Sequence, residues 1–167
     1  MSFNIPETEP GLERNEEGLH VPADGGITKW FFGDTYTMKL TSGLTDGSLG
    51  LMEASVPPGG GPIPHTHAAE DEIFYLMTGE LEFLMGEKVF TASAGDVVFI
   101  PRTVAHRFHN SGVRPATMLF LYTPGGAENI FIEAGDEPEP GKAAPFWGPE
   151  RIPMLAPLMD KYGIAPA

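Results

Sequence analysis

The chain has 167 residues, no cysteine, 10 Lys plus Arg against 23 Asp plus Glu, and a formal net charge of −13. That length fits one domain with its own hydrophobic core, and the acidity excludes the basic footprint of a nucleic-acid binder and disfavours an anionic membrane surface. Without cysteine there are no disulfides, thiolate ligands or thiol nucleophiles, so any metal site must use imidazole, carboxylate and water.

A cysteine-free chain fits a cytoplasmic protein. The start, Met-Ser-Phe-Asn-Ile-Pro-Glu, has no basic stretch and no apolar core, so no secretory signal is expected. The longest apolar runs, such as Val97 to Ile100 and Met118 to Tyr122, fall far short of the roughly 20 residues that cross a bilayer.

Residues 1–26 are polar and rich in Glu, Pro and Gly, and read as an arm. Strand signals begin at 27–32 and 35–41, with Gly33-Asp34 as the turn between them, and continue at 48–56. Pro57 to Pro62 interrupts any regular element. Further strands are expected at 72–77, 80–85, 88–91, 96–100, 105–109 and 116–122, each separated by Gly, Pro, Asn or Asp. Many short strands with close turn signals predict an all-β sandwich or barrel, here over 27–123. In the last segment, 124–167, residues 127–133 predict a short helix. A second is predicted over 151–162, where Met154, Leu155, Leu158 and Met159 have helical spacing, Gly163 stops it, and Pro153 and Pro157 weaken it.

Five histidines are present, and three suggest ligands. His65 and His67 are two apart, so on an extended strand both imidazoles face one side. Glu72 lies at odd separation from His67, and a bend between Ala68 and Asp71 is needed to bring it to the same face. His106 has apolar alternation partners, Val104 and Phe108, and so sits on an inward face where a polar group needs a partner. His109 has the opposite parity and should face away, and His20 belongs to the arm. Glu70 and Asp71 are nearby carboxylates expected to face solvent. The inward apolar set is read as Met52, Phe74, Leu76, Phe83, Met85, Phe99, Phe108 and Phe120, mostly core, with those near the metal lining a pocket.

These spacings resemble the two cupin motifs. Gly59, five residues, His65, one residue, His67, four residues, Glu72, six residues and Gly79 meet every fixed position of the first. Gly95, five residues, Pro101, then Thr103, His106 and Asn110 follow the second, except that Thr103 replaces its inner glycine. Gly79 and Gly95 suit turns with positive φ. A β-branched residue suits positive φ poorly, so a different turn is expected at Thr103. The resemblance implies a small jelly-roll-like cupin β-barrel with short C-terminal helices packed on it. It also implies one divalent transition metal held by His65, His67, Glu72 and His106.

That ligand set suits Fe, Mn, Ni, Co, Cu or Zn and leaves coordination positions open. A carboxylate that leaves the ion becomes a general base beside a Lewis acid, which makes Glu72 the expected catalytic residue. The segment from Glu72 to Leu76 and the Tyr122-Thr-Pro-Gly-Gly turn resemble quercetinase-like monocupins. This finer resemblance implies a dioxygenase that cleaves an enolisable or aromatic, flavonol-like substrate. The alternative is a non-redox cyclase, dehydratase or isomerase on a polyketide-like substrate. A non-catalytic small-molecule-binding cupin ranks third. The expected partners are an apolar or aromatic small molecule and, through the terminal segments, a second copy of the chain in a homodimer.

Overall fold

The computed structural model describes residues 18–167, and the rest of the expected arm lies outside the described residues. The strands are β1 (Ile27–Phe31), β2 (Asp34–Leu40), β3 (Gly50–Val56), β4 (His65–His67), β5 (Asp71–Thr78), β6 (Glu80–Met85), β7 (Lys88–Ser93), β8 (Val97–Ile100), β9 (His106–His109), β10 (Ala116–Thr123) and β11 (Ile164–Pro166). The helices are α1 (Asn129–Ala134) and α2 (Ile152–Lys161), the latter preceded by a 3-10 turn at Pro149–Arg151. They form two antiparallel sheets, ordered β1-β2-β3-β10-β5-β8 and β11-β4-β9-β6-β7. The all-β expectation holds. Among the described residues no helix is long and apolar enough to cross a membrane.

Strict alternation drives the packing. Every second residue of β3 and of β10 is buried, so each strand turns one face to the core. The register sets Met38, Met52, Phe120, Phe74 and Val98 side by side across one sheet. Phe74 meets Phe83 and Phe108 of the opposite sheet at ring-centroid distances of 5.2 and 5.9 Å. These aromatic contacts close the two sheets over one core.

Phe99 is a correction to the inward set. It pairs with Ile73, beside the inward pair Glu72 and Ile100, so the pleat turns it outward and it is 51% exposed. The first hairpin also differs from expectation. Its two loop residues are Phe32 and Gly33, both at positive φ (53° and 89°), as a two-residue loop between right-twisted strands requires. Asp34 is therefore not a turn residue but the first, buried residue of β2.

Asn110 explains the end of the second motif. Its Nδ2 donates to the carbonyls of Val56 and Arg114, both at 2.8 Å, and its Oδ1 accepts from Gly112 N–H at 2.9 Å. One buried amide thus ties the exit of β9 to the end of β3. Gly79 and Gly95 take φ of 75° and 95°, as their turns require.

The C-terminal segment reaches the first motif directly. β11, which the sequence did not signal, pairs antiparallel with β4, placing Ile164 opposite His67. Leu155 of α2 and Phe131 of α1 are buried. Together these elements cover one end of the space between the sheets.

Candidate metal centre

The ligands come from three strands at that covered end. His65 and His67 lie on β4, and His65 is opposite His106 of β9. Glu72 arrives from the other sheet. The chain breaks strand pairing over residues 68–70 and resumes as β5, the bend that the odd spacing needs. Glu72 then sits between Tyr122 and Ile100 in its sheet.

The structure brings together all four residues expected to bind metal. One ligand atom from each of His65, His67, Glu72 and His106 lies within 4.8 Å of the others. Bonds of about 2.0–2.2 Å place two ligand atoms on one ion no more than about 4.4 Å apart, so closure needs only a few tenths of an ångström. His67, Glu72 and His106 are buried. His65 Nδ1 donates to the Ile63 carbonyl and His106 Nδ1 to the Val104 carbonyl, both at 2.9 Å. Those bonds orient the two rings and turn each Nε2 towards the cluster.

The buried atoms His67 Nε2, His106 Nε2 and Glu72 Oε2 have no well-formed hydrogen bond, although Glu72 Oε2 contacts His106 Nε2 and lies 3.6 Å from His67 Nε2. Orphaned polar atoms of this kind are costly to bury. Converging on one point, they are the donor set that a divalent transition ion satisfies, so the cluster is able to hold one.

The electrostatics agree. Burial pushes the His67 pKa down to about 4, against the pull of Glu72 and with help from His65 and His106. Burial also lowers His65, and His106 adds to the effect. Burial would raise Glu72, but the approach of His106 and the charges of the imidazoles outweigh it, so the carboxyl stays below its usual range. Burial would lower His106 as well, but the Glu72 carboxylate against it raises it instead, so His65, His67 and Glu72 are the groups held in the protonation state that metal binding requires.

Glu70 is a second correction. Expected in solvent, it is buried, and its Oε2 lies 3.8 Å from His67 Nδ1. It stands behind His67, but at that distance the pair makes no hydrogen bond, and both atoms are left without a partner. His109 and His20 stay outside the cluster. Asp71 is engaged elsewhere. It accepts from the Arg102 backbone N–H at 2.8 Å and from the guanidinium at 3.0 and 3.1 Å.

Those bonds hold the loop that contains the third correction. Thr103 has φ 69°, so the chain keeps the left-handed turn of the motif glycine rather than adopting another. Its N–H donates to the His67 carbonyl at 2.8 Å, and Val104 N–H donates to the Pro101 carbonyl at 3.2 Å. Tertiary bonds thus impose a backbone that a β-branched residue resists. Thr103→Gly is expected to stabilise the protein by about 0.5–1 kcal/mol, the relieved strain exceeding the added unfolded-state entropy. Thermal denaturation should register a higher Tm, and a lower one would remove the strain argument.

A cavity of about 180 Å³ opens onto the cluster. It is walled by aromatic and aliphatic side chains from β1, β2, β5, β9, β10, both helices and β11, and among the described residues no Lys or Arg lines it. Tyr122 is buried beside Glu72, and its ring centroid stands 5.0 Å from that of His67. Burial first, then the Glu72 charge, keeps its hydroxyl protonated well beyond the usual range. Tyr36, Asp34 and Tyr122 were not singled out as site residues from sequence. Inward strand parity was the available signal for the tyrosines.

Comparison with known proteins places this geometry. Residues 52–122 match the cupin domain family model. A germin-like protein (subfamily 2 member 2) of Arabidopsis thaliana is 36% identical over 93 residues, 51% of this chain and 42% of that one. The polyketide synthase protein CurC of Streptomyces cyaneus is 34% identical over 94 residues, 55% of this chain and 60% of that one. The chain thus spans about half the length of these curated relatives. Among solved structures, a predicted oxalate decarboxylase from Thermotoga maritima superposes with a TM-score of 0.59 at 21% identity, covering 63% of this chain and 98% of that one, a likeness of fold. With both motifs, the double sheet and the matching domain model in hand, the chain carries a cupin domain over residues 52–122 and has the cupin fold.

Proposed function

We propose that this chain is a metal-dependent enzyme acting on an enolisable, apolar or aromatic substrate, and that the reaction is dioxygenation of a flavonol-like ring. The observation that carries the reading is Glu72, ionised and buried among three imidazoles at the floor of an apolar cavity. A bound divalent ion would be held by His65, His67, Glu72 and His106 and would supply Lewis-acid polarisation of a substrate oxygen. Glu72 accepts the substrate's enol or hydroxyl proton. Tyr122, kept protonated beside it, is a hydrogen-bond donor towards the developing oxyanion. The aromatic walls exclude water and favour a flat ligand. A small dicarboxylate fits poorly, since among the described residues no Lys or Arg lines the cavity.

A second reading rests on the match to CurC, a protein named for polyketide synthesis. Here the same proton abstraction drives cyclisation or isomerisation without oxygen.

The test is oxygen uptake by protein loaded with Fe(II), Mn(II), Co(II), Ni(II) or Cu(II), with flavonols as substrates. Uptake matched to product, falling about 100-fold or more in kcat for Glu72→Gln with metal still bound, supports the proposal. Turnover of enolisable polyketide-like ketones without oxygen uptake would favour the second reading. A metal-loaded protein inert to both would overturn both.

A further inference from the structure

Outside the four clustered residues, Asp34 is the one Asp, Glu, Lys or Arg among the described residues that lines the same cavity. Asp34 is 1% exposed and stands with Tyr36 among apolar walls. Its Oδ2 accepts from Tyr36 Oη at 2.9 Å. Its Oδ1 makes no well-formed hydrogen bond, although the Gly61 amide faces the carboxyl and favours its charged form.

Neighbouring backbone is shaped around this group. A Cβ at Gly60 would lie 2.3 Å from Oδ1, and one at Gly61, where φ is 120°, would lie 2.3 Å from the Phe108 carbonyl. Gly60 N–H and C=O are already used, by the Pro57 carbonyl and the Asn110 N–H. The loop therefore packs closely against the carboxyl while leaving it short of donors. A carboxylate has about four acceptor sites, and this one has far fewer partners. The hydroxyl of Tyr36 needs only one acceptor, which an uncharged side chain supplies without the cost of burying an acid.

We propose that Asp34, braced by Tyr36, is a second polar subsite that binds a phenolic or alcoholic hydroxyl of the cavity's ligand at the end not held by the metal cluster. The proposal rests on the preceding reading of the cavity as a substrate site, and it narrows the substrate class to polyhydroxylated apolar molecules. Burial lifts the Asp34 carboxyl to about 7, with the Tyr36 bond and the Gly61 amide opposing. Near neutral pH both forms are populated, so the group accepts from a hydroxyl or donates to one. The remaining walls supply area without direction, and Asp34 sets the orientation in which a ligand reaches Glu72.

The experiment titrates the metal-loaded full chain with 3-hydroxyflavone, with an analogue carrying an added hydroxyl on its far ring, and separately with phenol and toluene. Asp34→Leu and Asp34→Asn are compared with wild type, with metal stoichiometry and far-UV circular dichroism as controls on folding. Wild type should bind the hydroxylated member of each pair about 10-fold more tightly. Asp34→Leu should erase that preference without changing affinity for 3-hydroxyflavone or toluene, and Asp34→Asn should restore part of it. An equal preference in wild type and Asp34→Leu overturns the subsite. If neither flavonol binds wild type, the flavonol reading falls, while the phenol and toluene pair still decides the role of Asp34.

Discussion

Replacing His106 with alanine should weaken transition-metal binding by about 100-fold or more, since changes behind a ligand already cost roughly 10–100-fold. His106 supplies one of only four donors, and no fifth carboxylate or imidazole among the described residues joins the cluster. Glu70 faces the far nitrogen of His67, and Asp71 is held by Arg102, so neither replaces the lost donor. Metal-free stability should fall as well, because the Nδ1 bond to Val104 is lost and the buried Glu72 carboxylate loses the imidazole beside it. The contrast lies in the response to metal. At free metal about 100 times its dissociation constant, wild type gains ~2.7 kcal/mol, or roughly 5–10 °C in Tm for a chain of this size. The variant at the same concentration should gain almost nothing. Elemental analysis beside thermal denaturation checks both halves. A variant that keeps one equivalent of metal and the full Tm rise would show that the ion sits elsewhere.

The ligand set and the fold were legible because each rests on short-range rules. Two-residue periodicity set His65 with His67 and gave the buried faces of β3 and β10. Phe99, Glu70 and Thr103 were misread because longer-range contacts decide them. The register of β8 against β5 turned Phe99 outward, although its residue type argues for burial. Glu70 is buried by the bend that carries the chain from one sheet to the other. Thr103 is held at positive φ by the His67 carbonyl and its tethered neighbour Arg102, overriding its own preference. β11 carries no apolar alternation and pairs only because α2 delivers it beside β4. Asp34 was hidden by its own neighbour. Gly33-Asp34 is a common turn pair, yet here Phe32 takes the turn position and leaves the acid inside.

That buried acid has a thermodynamic signature of its own. The Asp34 carboxyl titrates near 7 in the folded protein, raised by burial from an ordinary 3.8. Between about pH 4 and pH 7 the native state therefore keeps a proton that the unfolded chain releases. Stability contributed by the neutral form is complete below pH 4 and is lost as pH rises through 7. The difference between 3.8 and about 7 corresponds to ~4 kcal/mol across that window. Asp34→Asn keeps an acceptor for Tyr36 Oη and has no charge to bury. The variant should match wild type near pH 4 and exceed it by up to about 4 kcal/mol at pH 8, roughly 10 °C in Tm. Urea denaturation of both proteins at intervals from pH 4 to pH 8 measures the gap. Parallel curves would mean that Asp34 titrates normally and that its burial is without energetic consequence. A gap that widens with pH would mean that the fold carries a destabilising acid in its cavity. A ligand hydroxyl that donates to Asp34 should then narrow the gap, because it supplies the partner that the folded chain withholds.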